Sequence, residues 1–199
     1  MKTALLLFAA ATCAMAQTVT LTMDEVPAQP INGLTVTKGG LGFTFSEPSG
    51  TLLYNTSNGG TITYVQDPTI EGANVPFSVT FSAPVYSVQF GLAVNVQHLV
   101  SPIATVSLYS GSASPFATLT LNSTLADPFS EGQFFYTGVA ITKILVTPST
   151  NVGFTAIGFD NLSVNLSPVT VPAASPLTLA ITAAALVGLA VFSLRKVFA

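Results

Sequence analysis

Residues 18–23 read Thr-Val-Thr-Leu-Thr-Met, and polar and apolar side chains alternate at every position. A period of two places all the apolar side chains on one face of an extended chain, so this stretch predicts a half-buried β-strand. Residues 77–81, Phe-Ser-Val-Thr-Phe, repeat the pattern. Further strands are predicted at 41–45, 61–65, 86–92, 104–108, 117–121, 134–136, 141–146 and 154–164.

Glycine pairs and prolines separate these stretches, at 39–40, 59–60, 68, 84, 102, 128 and 148. No stretch between them shows helical periodicity. About ten short antiparallel strands without helices predict two packed sheets. We therefore expect an all-β fold over residues 17–166: a two-sheet antiparallel β-sandwich of the jelly-roll type.

The last predicted strand contains an irregularity at Asp160-Asn161, where the alternation shifts by one residue. The apolar pairs on its two sides are Ile157 with Phe159 and Leu162 with Val164. A β-bulge at this point would return both pairs to the core face and redirect the Asp160 carboxylate.

The composition excludes several function classes. Only 7% of the residues are charged, and between residues 17 and 176 there are two lysines and no arginine. The chain thus has no basic patch for a nucleic acid, and its 49% hydrophobic content is not that of a disordered chain. His98 and Cys13 are single occurrences, and no nucleophile signature surrounds any serine, so a catalytic triad has no support.

Residues 1–16 predict a cleaved signal peptide. Lys2 supplies the positive start, residues 4–11 the apolar run, and Ala14-Met15-Ala16 the cleavage site, so that Gln17 begins the mature chain. Cys13 as a lipid-modified terminus is the alternative, but Thr12 precedes it where a lipoprotein signal has glycine or alanine. We expect a mature chain without cysteine, and hence without disulfides.

Residues 177–194 contain no charge and are followed by Arg195 and Lys196. As a helix this segment would be ~27 Å long, enough to cross the hydrocarbon core of a membrane. Because the basic pair stays on the cytoplasmic side, residues 177–199 predict a transmembrane helix that holds the body outside the cell. Residues 167–176, with their three prolines, predict a linker.

The order of signal, β-sandwich, Val171-Pro172 step, apolar helix and basic cluster resembles the PEP-CTERM family of bacterial surface proteins. This resemblance implies that an exosortase-type membrane protease recognises the tail and that the body joins the exopolysaccharide matrix. The family's Pro-Glu-Pro-Ser motif is here Pro172-Ala173-Ala174-Ser175, without the glutamate and the second proline. The sorting residues that the resemblance implies are Val171, Pro172, Ser175, Arg195 and Lys196.

A glycolipid anchor is the competing explanation of the tail. The small residues 173–175 could form its attachment site, and glycosylation sequons occur at residues 55, 122, 161 and 165. Against it, the spacer before the apolar run is almost absent and the tail ends in a basic pair.

Three carboxylates could form a calcium site. The first and last strands of jelly rolls commonly lie side by side, which would bring Asp24 and Glu25 near Asp160, and hard Ca²⁺ prefers such oxygen ligands. The alternative is that Asp160 accepts hydrogen bonds from the backbone of the bulge.

Sugar binding and hydrolysis have weaker signals. Because tryptophan is absent, tyrosine rings would have to stack on the sugar rings. The acid pairs 67/71 and 127/131 lie in predicted turns, which favours solvated loop acids over catalysis.

We therefore expect an exported, non-enzymatic cell-surface protein with a structural or adhesive role in extracellular polymer. A carbohydrate-binding module is the alternative, and a hydrolase is the remote one. The candidate stacking residues are Tyr54, Tyr64, Tyr109 and Tyr136.

Overall fold

The computed structural model describes residues 17–57, 62–150 and 153–168, and all regular secondary structure in these ranges is β. All of the described strands belong to one compact unit, which ends at Pro168. The predicted signal peptide, sorting motif and membrane helix lie outside the described residues. Within those residues, no helix has the length and hydropathy needed to cross a membrane.

Eleven strands occur in the described ranges. They are β1 Thr18–Leu21, β2 Gln29–Pro30, β3 Thr35–Lys38, β4 Leu41–Ser46, β5 Leu53–Thr56, β6 Thr69–Ala73, β7 Phe77–Val94, β8 Ala104–Tyr109, β9 Ala117–Leu121, β10 Ser130–Pro148 and β11 Ala156–Asn165.

The strands form two sheets that share the long strands β7 and β10. The first sheet has the order β3-β4-β7-β10-β8-β9 and uses residues 77–81 of β7 and 143–148 of β10. The second sheet has the order β2-β5-β6-β11-β7-β10 and uses residues 85–94 of β7 and 130–137 of β10, and β1 pairs with the end of β11. Every pairing is antiparallel.

Each long strand changes sheet at an exposed bend. The β7 bend includes Ala83 and Pro84, and the β10 bend includes Gly138, whose φ is 148°. The β7–β10 register shifts there, between Thr137 and Ile141 and again before Lys143. The stretches 77–81 and 86–92, predicted as two strands, therefore both belong to β7. The stretches 134–136 and 141–146 likewise both belong to β10.

The inward faces of the two sheets meet in one core. Phe77 of the first sheet lies edge-on against Phe159 of the second, with ring centroids 5.1 Å apart. Phe45 and Tyr54 make a similar contact between the sheets at 5.9 Å. All four side chains are almost completely buried, and truncating such a phenylalanine typically costs about 3–5 kcal/mol. The expected all-β sandwich is confirmed.

The first and last strands lie side by side, as expected, with Leu21 opposite Leu162. The expected bulge is also present, because the β11–β7 register shifts between Asp160 and Ser163 and Asn161 adopts a φ of 55°. The apolar pairs on both sides of the bulge point into the core: Ile157, Phe159, Leu162 and Val164 are all at most 3% exposed.

The prediction of a strand at 61–65 is wrong for residues 62–65, the part of it that the structure describes. Residues 62–66 form a loop closed by a hydrogen bond from the Ile62 amide to the Val65 carbonyl, and the strand of this region is β6, at Thr69–Ala73. The alternation of this stretch was misleading because the Thr63, Tyr64 and Gln66 amides donate to side-chain carboxylates and not to the backbone of a neighbouring strand.

Candidate functional site

The loop of residues 62–66, called the 62–66 loop below, lies flat on the outer face of the second sheet. A Cβ atom at Gly91 of β7 would stand 2.0 Å from the Tyr64 carbonyl oxygen, so only glycine lets the loop approach this closely. From β11, the Asn161 side-chain amide donates to the same carbonyl at 3.2 Å. The position of the loop therefore depends on its contacts with β7 and β11.

The side-chain carboxylate of Glu131, on β10, accepts hydrogen bonds from the backbone of the loop. One carboxylate oxygen accepts from the Thr63 amide at 2.9 Å, and the other accepts from the Tyr64 amide at 2.7 Å. The side chain is 1% exposed, so the prediction of a solvated loop acid is wrong for this residue. Hydrogen bonds to a charged group contribute about 1.5–3 kcal/mol each.

Asp160 is the second carboxylate beneath the loop. Its Oδ2 accepts from the Gln66 amide at 3.0 Å, whereas its buried Oδ1 has no hydrogen-bond partner within the described part of the chain. Burial raises the pKa of Asp160 to about 6, although the hydrogen bond from the Gln66 amide favours the ionised form. The backbone donor to Oδ2 thus belongs to the 62–66 loop, whereas the predicted alternative placed the donors on the backbone of the bulge.

Glu25 is engaged by donors from three sides. It accepts from the Lys38 ammonium at 2.6 Å, from the Tyr54 hydroxyl at 2.5 Å and from the Thr22 amide at 2.9 Å. Burial alone would raise the pKa of Glu25, but these hydrogen bonds outweigh it and hold the pKa below its ordinary value.

The predicted calcium ligands come near each other without forming a metal site. Asp24 and Glu25 are close enough for their charges to contribute to the raised pKa of Asp160. Asp24 is exposed and accepts from the Thr22 hydroxyl at 2.7 Å, while Glu25 is committed to Lys38. Across residues 17–57, 62–150 and 153–168, no three Asp, Glu, His or Cys side chains are grouped so that they could hold a metal ion. The geometry therefore gives the calcium prediction no support.

A groove of about 350 Å³ opens beside the 62–66 loop, on the same outer face of the second sheet. Ala93 and Gly158, which are paired across β7 and β11, are among its small lining residues. A Cβ at Gly158 would lie 3.4 Å from a methyl group of Val65, so the loop packs close to the sheet here. Leu53 and Phe129 supply further apolar surface.

The groove suits a neutral ligand. Among its described lining residues, Glu71 is the one with an ionisable side chain, and the other polar contributors are Thr51, Thr56 and Asn95. An apolar concave surface with a few polar groups is the usual composition of a small-molecule site. A single carboxylate can orient a hydroxyl group, whereas glycoside hydrolysis ordinarily uses two across the bond.

The tyrosines predicted to stack on sugars divide into two groups. Tyr54 is fully buried and Tyr109 is 8% exposed, so neither can be a surface platform. Tyr64 and Tyr136 are partly exposed. Phe135 of β10, which was not among the predicted stacking residues, is 61% exposed, and its only signal in the sequence is the run of three aromatic residues at 134–136.

Most of the body's few charged side chains are paired, packed against an aromatic ring or buried. Glu25 pairs with Lys38, and the ammonium group of Lys143 lies 3.9 Å from the ring centroid of Tyr109. Three more of the eight carboxylates have almost no exposed surface: Glu47, Glu131 and Asp160.

No protein-family model matches the chain, and no curated protein matches it. Among solved structures, it is similar to the K3 cleaved adhesin domain of Lys-gingipain from Porphyromonas gingivalis, at a TM-score of 0.40 and 10% identity over 74% of this chain and 99% of that one. It is also similar to a Clostridium thermocellum endo-1,4-beta-D-xylanase 10B structure of CBM22-1 and GH10 modules, at 0.37 and 12% identity over 79% of this chain and 27% of that one. A third similar structure is a family 29 carbohydrate-binding module, CBM29-2, at 0.33 and 8% identity over 76% and 88%. With likeness this low, function has to be argued from the chain's own residues.

Proposed function

We propose that the chain is an exported, non-enzymatic β-sandwich protein with a structural or adhesive role in extracellular polymer. The observation that carries this proposal is the groove beside the 62–66 loop, which offers apolar surface and hydroxyl-binding groups with a single ionisable side chain, Glu71. Such a surface can receive the C–H face of a sugar ring while polar groups at its rim bind the hydroxyls. The groove would therefore bind neutral sugar units of the polymer.

The charge distribution of the body agrees with a neutral partner. Both lysines of the body are engaged, Lys38 by Glu25 and Lys143 by the Tyr109 ring, so they form no basic patch. A polyanion would find little complementary charge here, because the body has only two lysines and one of them, Lys38, is already paired with Glu25.

The location at the cell surface rests on the two ends of the chain. The signal-like residues 1–16 would export the body, and the apolar residues 177–194 with Arg195 and Lys196 would hold it at the membrane until an exosortase-type protease acts on the tail. Mass spectrometry of the protein from its source cells tests both ends at once. A chain that still begins at Met1, or that is recovered only from the cytoplasm, would contradict export, whereas a lipid-modified start at Cys13 would replace the predicted cleavage site.

Binding is tested by electrophoresis of the full chain, in mild detergent, through gels that contain extracellular polysaccharide purified from the source cells. We expect retardation that increases with polymer concentration. The double variant Leu53→Ala and Phe129→Ala, which removes two apolar walls of the groove, should weaken binding at least tenfold. The matched control is Leu99→Ala, because Leu99 is 63% exposed and does not line the groove. Absence of retardation, or equal retardation of all three proteins, would refute the proposal.

A further inference from the structure

On one side of the sandwich the first sheet ends in an unpaired strand edge, and the second sheet ends in an edge that is paired only in part. In the first sheet β9 pairs with β8 alone, and among the described strands none covers its other edge. In the second sheet, residues 130–137 of β10 pair with β7, and on their outer edge the described chain adds one bridge, between Leu125 and Glu131. An unpaired edge presents backbone N–H and C=O groups that can pair with another strand.

Two of the three edge strands on the opposite side of the sandwich are protected. There the first sheet ends in β3, which carries Lys38, and the second ends in β2, which has two residues and contains Pro30. The third edge strand, β1, pairs with β11 alone. A charged side chain, a proline and a very short strand are three ways in which proteins prevent edge-to-edge association. β9 has none of these features, since residues 116–126 contain neither a charge nor a proline.

Exposed apolar side chains collect on the unprotected side. Six large hydrophobic residues are exposed in the described ranges, and four of them belong to β9, to the residue before it or to β10: Phe116, Leu119, Phe135 and Val139. The Phe116 ring also contacts Tyr136 of β10, with centroids 6.2 Å apart. Exposed apolar surface of this kind commonly marks an interaction site.

We propose that β9 is a self-association edge, where a second copy of this chain adds its own β9 in antiparallel pairing about a two-fold axis at Leu119. The residues around this axis are self-complementary, because Thr118 and Thr120 flank Leu119 on its two sides. Such pairing sets Leu119 against Leu119 and each Thr118 against Thr120 of the other copy, with no like charges opposed. It joins the first sheets of two molecules and does not depend on the polymer-binding groove.

Disulfide trapping tests the pairing in the full chain. Residues directly opposite in an antiparallel pair have Cα atoms about 4.5–5.5 Å apart, within the range that a disulfide spans. In a Cys13→Ala background, Leu119→Cys should give a dimer on a non-reducing gel. The matched control is Thr37→Cys, an exposed position on the edge strand β3, and it should remain monomeric.

A second measurement does not rely on cysteine chemistry. Sedimentation of the full chain in detergent should show a concentration-dependent dimer that Leu119→Lys weakens at least tenfold, since two lysines would then face each other. Leu99→Lys, at an exposed site away from β9, should leave the dimer unchanged. Equal cross-linking at 119 and 37, an adduct of position 119 with a different protein instead of a dimer, or equal sedimentation of both lysine variants would overturn the proposal.

Discussion

Replacing Asp160 by asparagine should stabilise the protein at neutral pH. The carboxylate is 2% exposed, its Oδ2 accepts one amide hydrogen bond from Gln66, and its Oδ1 has no partner in the described residues. Asparagine has nearly the same shape and keeps an acceptor for the Gln66 amide. It removes the buried negative charge, which also faces the charges of Glu25 and Asp24.

The magnitude follows from the pKa of Asp160, which burial raises from 3.8 to about 6. A difference of about two pKa units corresponds to roughly 3 kcal/mol against the ionised form in the folded state. The neutral amide makes a weaker hydrogen bond than the carboxylate, which offsets about 1 kcal/mol. We therefore expect Asp160→Asn to raise the free energy of unfolding by about 1–3 kcal/mol at pH 7.5.

The sign of the pH dependence is opposite to that of a salt-bridged aspartate. Because the folded pKa of Asp160 is raised, the folded state binds more protons than the unfolded state between about pH 4 and pH 6. The contribution of Asp160 is thus most favourable below pH 4 and declines as pH rises through 6. The difference between Asp160→Asn and the wild type should shrink accordingly towards pH 4.

Urea unfolding followed by circular dichroism at pH 4 and pH 7.5 measures both effects. Asp127→Asn is the control, since Asp127 is exposed and its replacement should change little at either pH. An Asp160→Asn protein less stable than the wild type at pH 7.5 would refute the reasoning. So would a calcium-dependent rise of the wild-type midpoint that Asp160→Asn abolishes, because it would mean that the carboxylate binds a metal ion.

Further predictions concern the loops and the two ends of the chain. Glu47→Gln should lower the free energy of unfolding by about 1–3 kcal/mol in urea titrations at pH 7, because the buried carboxylate accepts several backbone amides. Although burial favours protonation, these bonds lower the pKa of Glu47, so this stabilisation is present above pH 4.5 and declines as pH falls below it. Gly91→Ala should displace the 62–66 loop and speed hydrogen exchange at the Tyr64 amide, and unchanged exchange would contradict the close approach. N-terminal sequencing of exported protein should begin at Gln17. Deletion of residues 177–199 should release the body into the medium, and a truncated protein still in the membrane fraction would place the anchor elsewhere.

Local patterns along the chain were sufficient to predict the fold class. The period-two alternation of residues 18–23 and 77–81 reports which side chains face the core, and this property depends only on near neighbours. The bulge at Asp160-Asn161 was equally visible, because a one-residue shift changes which side chains face the core unless the backbone compensates. The side-by-side position of the first and last strands followed from the architecture.

The tertiary structure alone decided what the carboxylates do and which surfaces stay open. Glu131 binds amides 67 and 68 residues away, and Asp160 binds one 94 residues away, so nothing beside either residue in the sequence indicated its burial. The unpaired edge of β9 and the groove likewise depend on which strands become neighbours. Alternation predicts that a strand forms and which face it buries, but the pairing of distant strands determines which edges remain free and which loops cover the sheet.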